Sequence, residues 1–187
     1  MLPFFLNWRA TLRLGAHKLN PTIPLTLAAL FLGAAGASAQ SADKEPAAIV
    51  ELGAAVSGNI KNGGASSGPT VAVEFTPIEK WLEIEAGVTP LFSRHSTEWG
   101  TDLLFKKPWS LSKKADFMLG LGPEWVHSNT RGVTTNSVSG EFVLDFMYWP
   151  GKKHRFGWYI EPGYEYNFGA GHEQSLGITG GLLIAIR

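Results

Sequence analysis

The chain has no cysteine and no net charge. Without cysteine it has no disulfide framework, no thiol nucleophile and no lipoprotein anchor. Its 16 basic and 16 acidic residues balance, so the excess of positive charge that nucleic-acid binding requires is missing. The 5 histidines show no close metal-ligand spacing such as His-x-x-x-His. We therefore predict no nucleic-acid partner, no metal and no cofactor.

A long hydrophobic run is also missing. The longest, residues 23–35, is shorter than the roughly 20 residues that a transmembrane helix needs. Three basic residues and no acid precede it: Arg9, Arg13 and Lys18. The small residues of the sequence ASA, 37–39, follow it, as in a secretory signal peptide. We predict a signal peptide over residues 1–39, cleaved after Ala39, with a retained anchor as the alternative, and a polar lead-in over residues 40–47.

The rest of the chain alternates between apolar and polar residues. In the segment 156–168, every second residue from Phe156 is apolar or aromatic, and those between are small, polar or acidic. This period of two predicts β-strands with different surroundings on their two faces. The predicted strands are residues 48–58, 70–76, 81–92, 98–105, 115–126, 138–149, 156–168 and 174–187. We predict an all-β fold, an eight-stranded antiparallel up-and-down barrel over residues 48–187.

Acids and glycines share the polar faces of these strands. The acids are Glu51, Glu74, Glu83, Glu85, Asp102, Glu124, Glu141, Asp145, Glu161 and Glu165. Small and polar side chains suit the narrow interior of an eight-stranded barrel. An apolar exterior with a polar interior is typical of a transmembrane barrel. The alternative is a soluble lipocalin-like carrier, in which the apolar faces would point inward.

Aromatic residues fall near both ends of the predicted strands. One belt contains Trp81, Trp109, Tyr148, Trp149 and Trp158, and the other contains Phe92, Trp99, Trp125, Tyr166 and Phe168. Two aromatic belts are typical of a protein that crosses a bilayer. The links 77–80, 106–114 and 150–155 carry most of the lysine, and the links 59–69, 93–97, 127–137 and 169–173 are rich in Gly, Ser, Thr, Asn and His. We expect the lysine-rich links in the periplasm and the others at the cell surface.

In topology and pattern, residues 48–187 resemble the small outer-membrane barrels of the OmpA/OmpX type. The resemblance implies the outer membrane of a Gram-negative cell, insertion by the outer-membrane assembly machinery, and contact with outer-membrane lipids and lipopolysaccharide. We expect a monomer. The chain departs from these barrels at its end, where Arg187 stands in place of the usual final aromatic residue and Ile186 precedes it.

A catalytic site is not predicted. His127 and Ser128 look a little like the His-x-Ser-Asn motif of lipid A deacylase barrels, and Glu141 would complete a triad. The residue between His and Ser is missing, and adjacent strand residues point to opposite faces. We predict a structural or surface-interaction role through four outer loops. The alternatives are a lipid A-modifying enzyme, a narrow cation pore and the soluble carrier.

Two features of the predicted interior need an explanation. The interior carboxylates of Glu124, Glu141, Asp145, Glu161 and Glu165 form either a proton- or cation-binding site or a wet polar core. We favour the polar core, with the acids satisfied by water and by Arg155, Arg187 and Tyr159. The prolines Pro123 and Pro162 fall within strands, where a closed barrel leaves no free edge. We expect a bulge or a local kink at each.

Overall fold

The computed structural model describes residues 46–61, 63–169 and 171–187. The predicted signal peptide and most of the lead-in lie outside these residues. The strands are β1 (Ala48–Asn59), β2 (Ala65–Ile78), β3 (Leu82–Phe92), β4 (Ser96–Ser112), β5 (Ala115–Thr130), β6 (Val133–Tyr148), β7 (Phe156–Asn167) and β8 (Gln174–Ile186). Each pairs antiparallel with its neighbours in sequence, and β1 pairs with β8 to close the barrel. The predicted fold class is therefore confirmed. Within the described residues, no helix is long and apolar enough to cross a membrane.

Both ends of the described chain lie at one end of the barrel, which we call the inner end. The turns β2–β3, β4–β5 and β6–β7 lie at the inner end, and the other four connections lie at the outer end. The strands β4 to β6 are longer than predicted, with 16 or 17 residues each. Only Arg131 and Gly132 connect β5 to β6, and both have positive φ, as a two-residue hairpin turn requires. The predicted loop 127–137 is therefore mostly strand.

The two strand prolines do not shift the register. Pro123 lies opposite Gly140, and Pro162 lies opposite Ile178, in unbroken register. On the other side of each proline the pairing is interrupted for two positions and then resumes in the same register. The missing N–H removes a ladder bond without an extra residue being inserted. Of the expected bulge or kink, the bulge is absent at both prolines, and the register shifts lie in β2 and β4 instead.

The outer surface of the barrel is apolar and the interior is charged. Leu121, Leu176 and Leu182 are each about 60% exposed, at 59%, 59% and 61%, whereas Glu74 and Asp145 are fully buried in the interior. This arrangement is the reverse of the lipocalin-like alternative. Successive side chains of a strand point to opposite faces, so the apolar residues that alternate along a strand all point outward.

An apolar plug fills the inner end of the barrel. It consists of Ile49, Met118, Met147, Trp149, Tyr159 and Leu183. Trp149 is 3% exposed and stacks on His154 with 5.7 Å between ring centroids. Its predicted place in the inner aromatic belt was therefore wrong. In β6 the odd-numbered residues point inward, and Trp149 continues that parity just beyond the strand.

Candidate functional site

A layer of buried charged residues lies in the barrel interior. It consists of Lys106 and five acids, Glu51, Glu74, Glu85, Asp145 and Glu161, and we call it the charge layer. None of the six side chains is more than 8% exposed. They come from six different strands, so only the closed barrel brings them together.

The ammonium of Lys106 lies among the carboxylates. Its Nζ donates hydrogen bonds to Glu161 Oε2 at 2.6 Å and to Asp145 Oδ2 at 2.9 Å. It also forms an ion pair with Glu85 and lies 3.9 Å from Glu74 Oε2. Charged hydrogen bonds of this kind are among the strongest in proteins, and here they connect β4 to β3, β6 and β7.

Two local features place Lys106 inside the barrel. Strand β4 continues to Ser112, so Lys106 lies within the strand and not in the predicted turn 106–114. In β4 the even-numbered residues point inward, as Asp102 and Lys106 do. Gly120, opposite Lys106 on β5, leaves room for the long side chain, because a Cβ there would lie 2.8 Å from Lys106 Cγ.

Lys106 overturns two expectations. It was assigned to a periplasmic turn, and the interior acids were expected to be satisfied by Arg155 and Arg187 as well as by Tyr159, which is buried inside the barrel, and by water. Arg155 is exposed, and the Arg187 guanidinium donates to the backbone carbonyl of Lys153 at the inner end. The even-numbered residues from Asp102 onward lie on the same face of the strand. This alternation was the signal in the sequence that could have placed Lys106 inside.

The charge layer contains more acid than base. Glu51 Oε1, both oxygens of Glu74 and Asp145 Oδ1 receive no hydrogen bond from a donor group of the described residues. One oxygen from each of Glu51, Glu74, Glu85 and Asp145 lies within 4.8 Å of the others. Buried carboxylates without a donor or a counter-charge are costly. The site is therefore chemically suited to hold positive charge in addition to Lys106.

A second group of acids lines a cavity nearer the outer end. The cavity has a volume of about 70 Å³, enough for a few water molecules. Its acidic lining residues are Asp102, Glu124, Glu141, Glu161 and Glu165. Glu141 lies opposite Glu165 across β6 and β7, and Glu165 Oε1 accepts a hydrogen bond of 2.6 Å from Ser139. We call this cavity the outer chamber. Glu161 belongs both to its wall and to the charge layer.

The candidate catalytic residues do not meet. His127 packs against Trp125 on the outer face, with 6.5 Å between ring centroids, and its Nδ1 lies 2.7 Å from Asn136 Oδ1. Ser128, the next residue of β5, faces the other way, and its Oγ accepts a hydrogen bond from Thr135 at 3.5 Å. Glu141 lines the outer chamber. The three residues therefore form no triad in this structure.

Aromatic side chains stand at both ends of the apolar surface. Near the inner end, Tyr148 packs against Trp158 with 5.3 Å between ring centroids, and Trp81 is exposed in the β2–β3 turn. Near the outer end, Tyr166 packs against Phe168 at 5.3 Å. Trp99 and Trp125 are exposed on the neighbouring strands β4 and β5.

A basic cleft lies at the outer end between two connections. Arg94, His95 and Arg131 line it together with Ser93, Ser96, Thr97, Asn129 and Gly132. The backbone N–H of Arg131 donates to the carbonyl of His95 at 3.2 Å, which holds the two connections together. We call this feature the arginine cleft. No acid lines it.

Comparison with known proteins gives structural matches only. No protein-family model and no curated protein matches the chain. The structure of Neisserial surface protein A (NspA) is 11% identical over 75% of this chain and 97% of its own, with a TM-score of 0.63. The N-terminal β-barrel domain of Pseudomonas aeruginosa OprF is 10% identical over 75% of this chain and 100% of its own, with a TM-score of 0.54.

A third match carries a ligand. Ail of Yersinia pestis, solved with the heparin analogue sucrose octasulfate, is 11% identical over 75% of this chain and 100% of its own, with a TM-score of 0.50. The chain has the fold of the small outer-membrane barrels. Identities this low support the fold alone, because one fold can serve many functions.

Proposed function

We propose that the chain is an outer-membrane barrel with a structural or surface-interaction role and no catalysis. The observation that carries the proposal is the apolar outer surface between two groups of aromatic side chains. An exposed apolar surface of this extent must be shielded from water, and a bilayer shields a barrel on all sides. The inner end, with both ends of the described chain, would face the periplasm, and the arginine cleft would face the medium.

Cell fractionation tests the location. The full chain, expressed in a Gram-negative host, should be found in the outer-membrane fraction. It should migrate faster on a gel before heating than after, because a folded barrel resists detergent until it is boiled. Recovery in the soluble periplasmic fraction, without a heat-dependent change in migration, would contradict the proposal.

The arginine cleft supports the surface-interaction part of the proposal. Two guanidinium groups without an acid between them suit an anionic group, because arginine binds phosphate or sulfate through paired hydrogen bonds. On an outer membrane, the phosphates of lipopolysaccharide are the anionic groups closest to an outer-end cleft.

Binding measurements test the cleft. We expect the double change Arg94→Gln and Arg131→Gln to weaken binding of lipopolysaccharide to the purified barrel at least tenfold. The matched control is Lys152→Gln with Lys153→Gln, which removes two exposed charges from the inner end and should change the affinity less than twofold. Sucrose octasulfate as a second probe separates recognition of sulfated sugars from recognition of lipopolysaccharide. Equal effects of the two double changes would contradict a role for the cleft.

The same cells test for catalysis. A barrel without catalytic activity should leave the mass spectrum of lipid A unchanged when it is expressed. Loss of an acyl chain that depends on Ser128 would support the lipid A-modifying alternative instead.

A further inference from the structure

The charge layer has a surplus of four negative charges when its groups are ionised, because five carboxylates surround one ammonium. One oxygen from each of four of these acids lies within 4.8 Å of the others, and carboxylates held this close repel one another unless a proton or a cation lies between them. In addition, the buried oxygens of Glu51 and Glu74 that lack a donor need a positive partner.

The number and spacing of the carboxylate oxygens favour Ca²⁺ over Mg²⁺. The site offers four oxygens, one each from Glu51, Glu74, Glu85 and Asp145, within 4.8 Å of one another. Hard cations prefer such ligands. Two oxygens bound to one Ca²⁺ at 2.3–2.6 Å lie at most about 5 Å apart, whereas around Mg²⁺, at 2.0–2.1 Å, they lie at most about 4 Å apart. Oxygens within 4.8 Å of one another fit around Ca²⁺, and four carboxylates around one ion suit Ca²⁺ better than Mg²⁺, which usually keeps several waters and is bound through one or two carboxylates.

We infer that the charge layer binds one Ca²⁺ ion beside Lys106, with ligands from Glu51, Glu74, Glu85 and Asp145. Lys106 and the ion can be held together, because Asp145 gives Oδ2 to the ammonium and leaves Oδ1 without a donor. The ion would reduce the negative surplus and connect β1, β2, β3 and β6 across the interior. Lys106 already connects β4 to three strands, so the two cations together would tie six strands.

The outer chamber provides the approach to this site. The plug closes the inner end, so an ion would arrive from the outer end. The chamber is lined by Asp102, Glu124, Glu141 and Glu165, which raise the local concentration of cations. Glu161 joins the chamber to the charge layer. Tyr159 of the plug lies two residues before Glu161 on the inward face of β7, so an aromatic side chain adjoins the layer on its inner side.

Calorimetric titration of the full chain, folded in detergent micelles and freed of metal, tests the inference. We expect saturable binding of one Ca²⁺ per chain and at least tenfold weaker binding of Mg²⁺. Glu51→Gln and Glu74→Gln should each weaken Ca²⁺ binding at least tenfold. The matched controls Glu79→Gln and Glu173→Gln remove exposed carboxylates from the two ends of the barrel and should change the affinity less than twofold.

Terbium luminescence keeps the test valid if the two variants do not fold. Tb³⁺ replaces Ca²⁺ and emits when a nearby tyrosine or tryptophan is excited. The parent barrel should show this emission, and added Ca²⁺ should abolish it. Absence of saturable Ca²⁺ binding, or equal effects of the test and control variants, would overturn the inference. Stabilisation of the barrel by Glu51→Gln and Glu74→Gln, whether or not Ca²⁺ is present, would show that protons neutralise the layer instead.

Discussion

The ammonium of Lys106 in β4 lies 2.6 Å from Oε2 of Glu161 in β7, so one side chain connects two strands that are not neighbours in the sheet. The backbone ladder joins each strand only to the next one around the barrel. The ion pairs of Lys106 instead cross the interior, and its ammonium is fully buried from solvent. The stability of the barrel should therefore depend on this residue far more than on an exposed lysine.

Lys106→Met tests this dependence. Removing the ammonium leaves four buried carboxylates without their shared cation, and breaking a buried pair in this way costs about 3–5 kcal/mol. We expect that loss in the free energy of unfolding, measured by urea denaturation in detergent micelles at pH 8. The control is Lys107→Met, because Lys107 faces outward and donates to the Lys80 carbonyl. Equal losses for the two variants would contradict the role of the charge layer.

The strands could be predicted because the two faces of each meet different surroundings. In β1 and β8 one face is apolar along nearly the whole strand and the other carries small or polar residues over much of its length, and the predicted and observed ends differ by one residue at most. At the outer end of β5 and β6 both faces carry polar residues such as Ser128 and Thr135, so the alternation disappears although the strand continues. The hairpin turn at Arg131 and Gly132 was missed for that reason.

The interior acids could be named from the sequence, but their partner could not be found there. Whether a residue is odd- or even-numbered within a strand shows which face its side chain is on. It does not show how far along the barrel axis the side chain lies. Whether Lys106 is level with Glu85 or with Glu165 depends on the register between strands, which the sequence does not reveal. A lysine next to a second lysine, Lys107, also suggests a solvated turn when the length of the strand is unknown.

Gly120→Ala tests how closely the interior is packed. A Cβ at Gly120 would lie 2.7 Å from Val143 Cγ2 and 2.8 Å from Lys106 Cγ, so the lysine would be displaced from its partners. We expect a loss of about 1–3 kcal/mol in urea denaturation, as is typical of overpacked cores. Gly58→Ala is the control, because the nearest atom to its added Cβ is a backbone oxygen 3.9 Å away. A stable Gly120→Ala barrel would mean that Lys106 has an equivalent position elsewhere.

Leu144→Arg tests the lipid-facing surface. Leu144 lies on the outward face of β6, next to the inward-facing Asp145. It is midway between Tyr148 of the inner aromatic group and Gly140, which lies opposite Tyr166 of the outer one. An arginine that faces the middle of a bilayer costs about 2–4 kcal/mol of barrel stability. We expect that loss for the barrel folded in lipid vesicles. Val133→Arg, at the outer end of the same strand, should cost less than about 1 kcal/mol. Cysteine scanning with a lipophilic label should modify position 144 and not position 145.

The two faces of β7 can be distinguished by a pair of changes at adjacent residues. Ile160 is 41% exposed on the outer surface, and Glu161 points inward to Lys106. Ile160→Glu places a carboxylate against lipid, which is costly, so insertion into micelles should be impaired. Glu161→Gln removes one of five crowded negative charges and keeps an oxygen that can accept from Lys106. We expect the Glu161→Gln barrel to be as stable as the parent or more stable.

Gel mobility before and after heating measures both variants on the same scale. The folded fraction of Ile160→Glu should fall well below that of the parent, and that of Glu161→Gln should not. The matched control is Ile160→Gln, which has the polarity of an amide without a charge and should fold better than Ile160→Glu. If Ile160→Glu folded fully while Glu161→Gln failed, β7 would present the opposite face to lipid. Failure of Glu161→Gln alone would instead mean that Lys106 needs the charge of this carboxylate, and not only its oxygen, to remain in the interior.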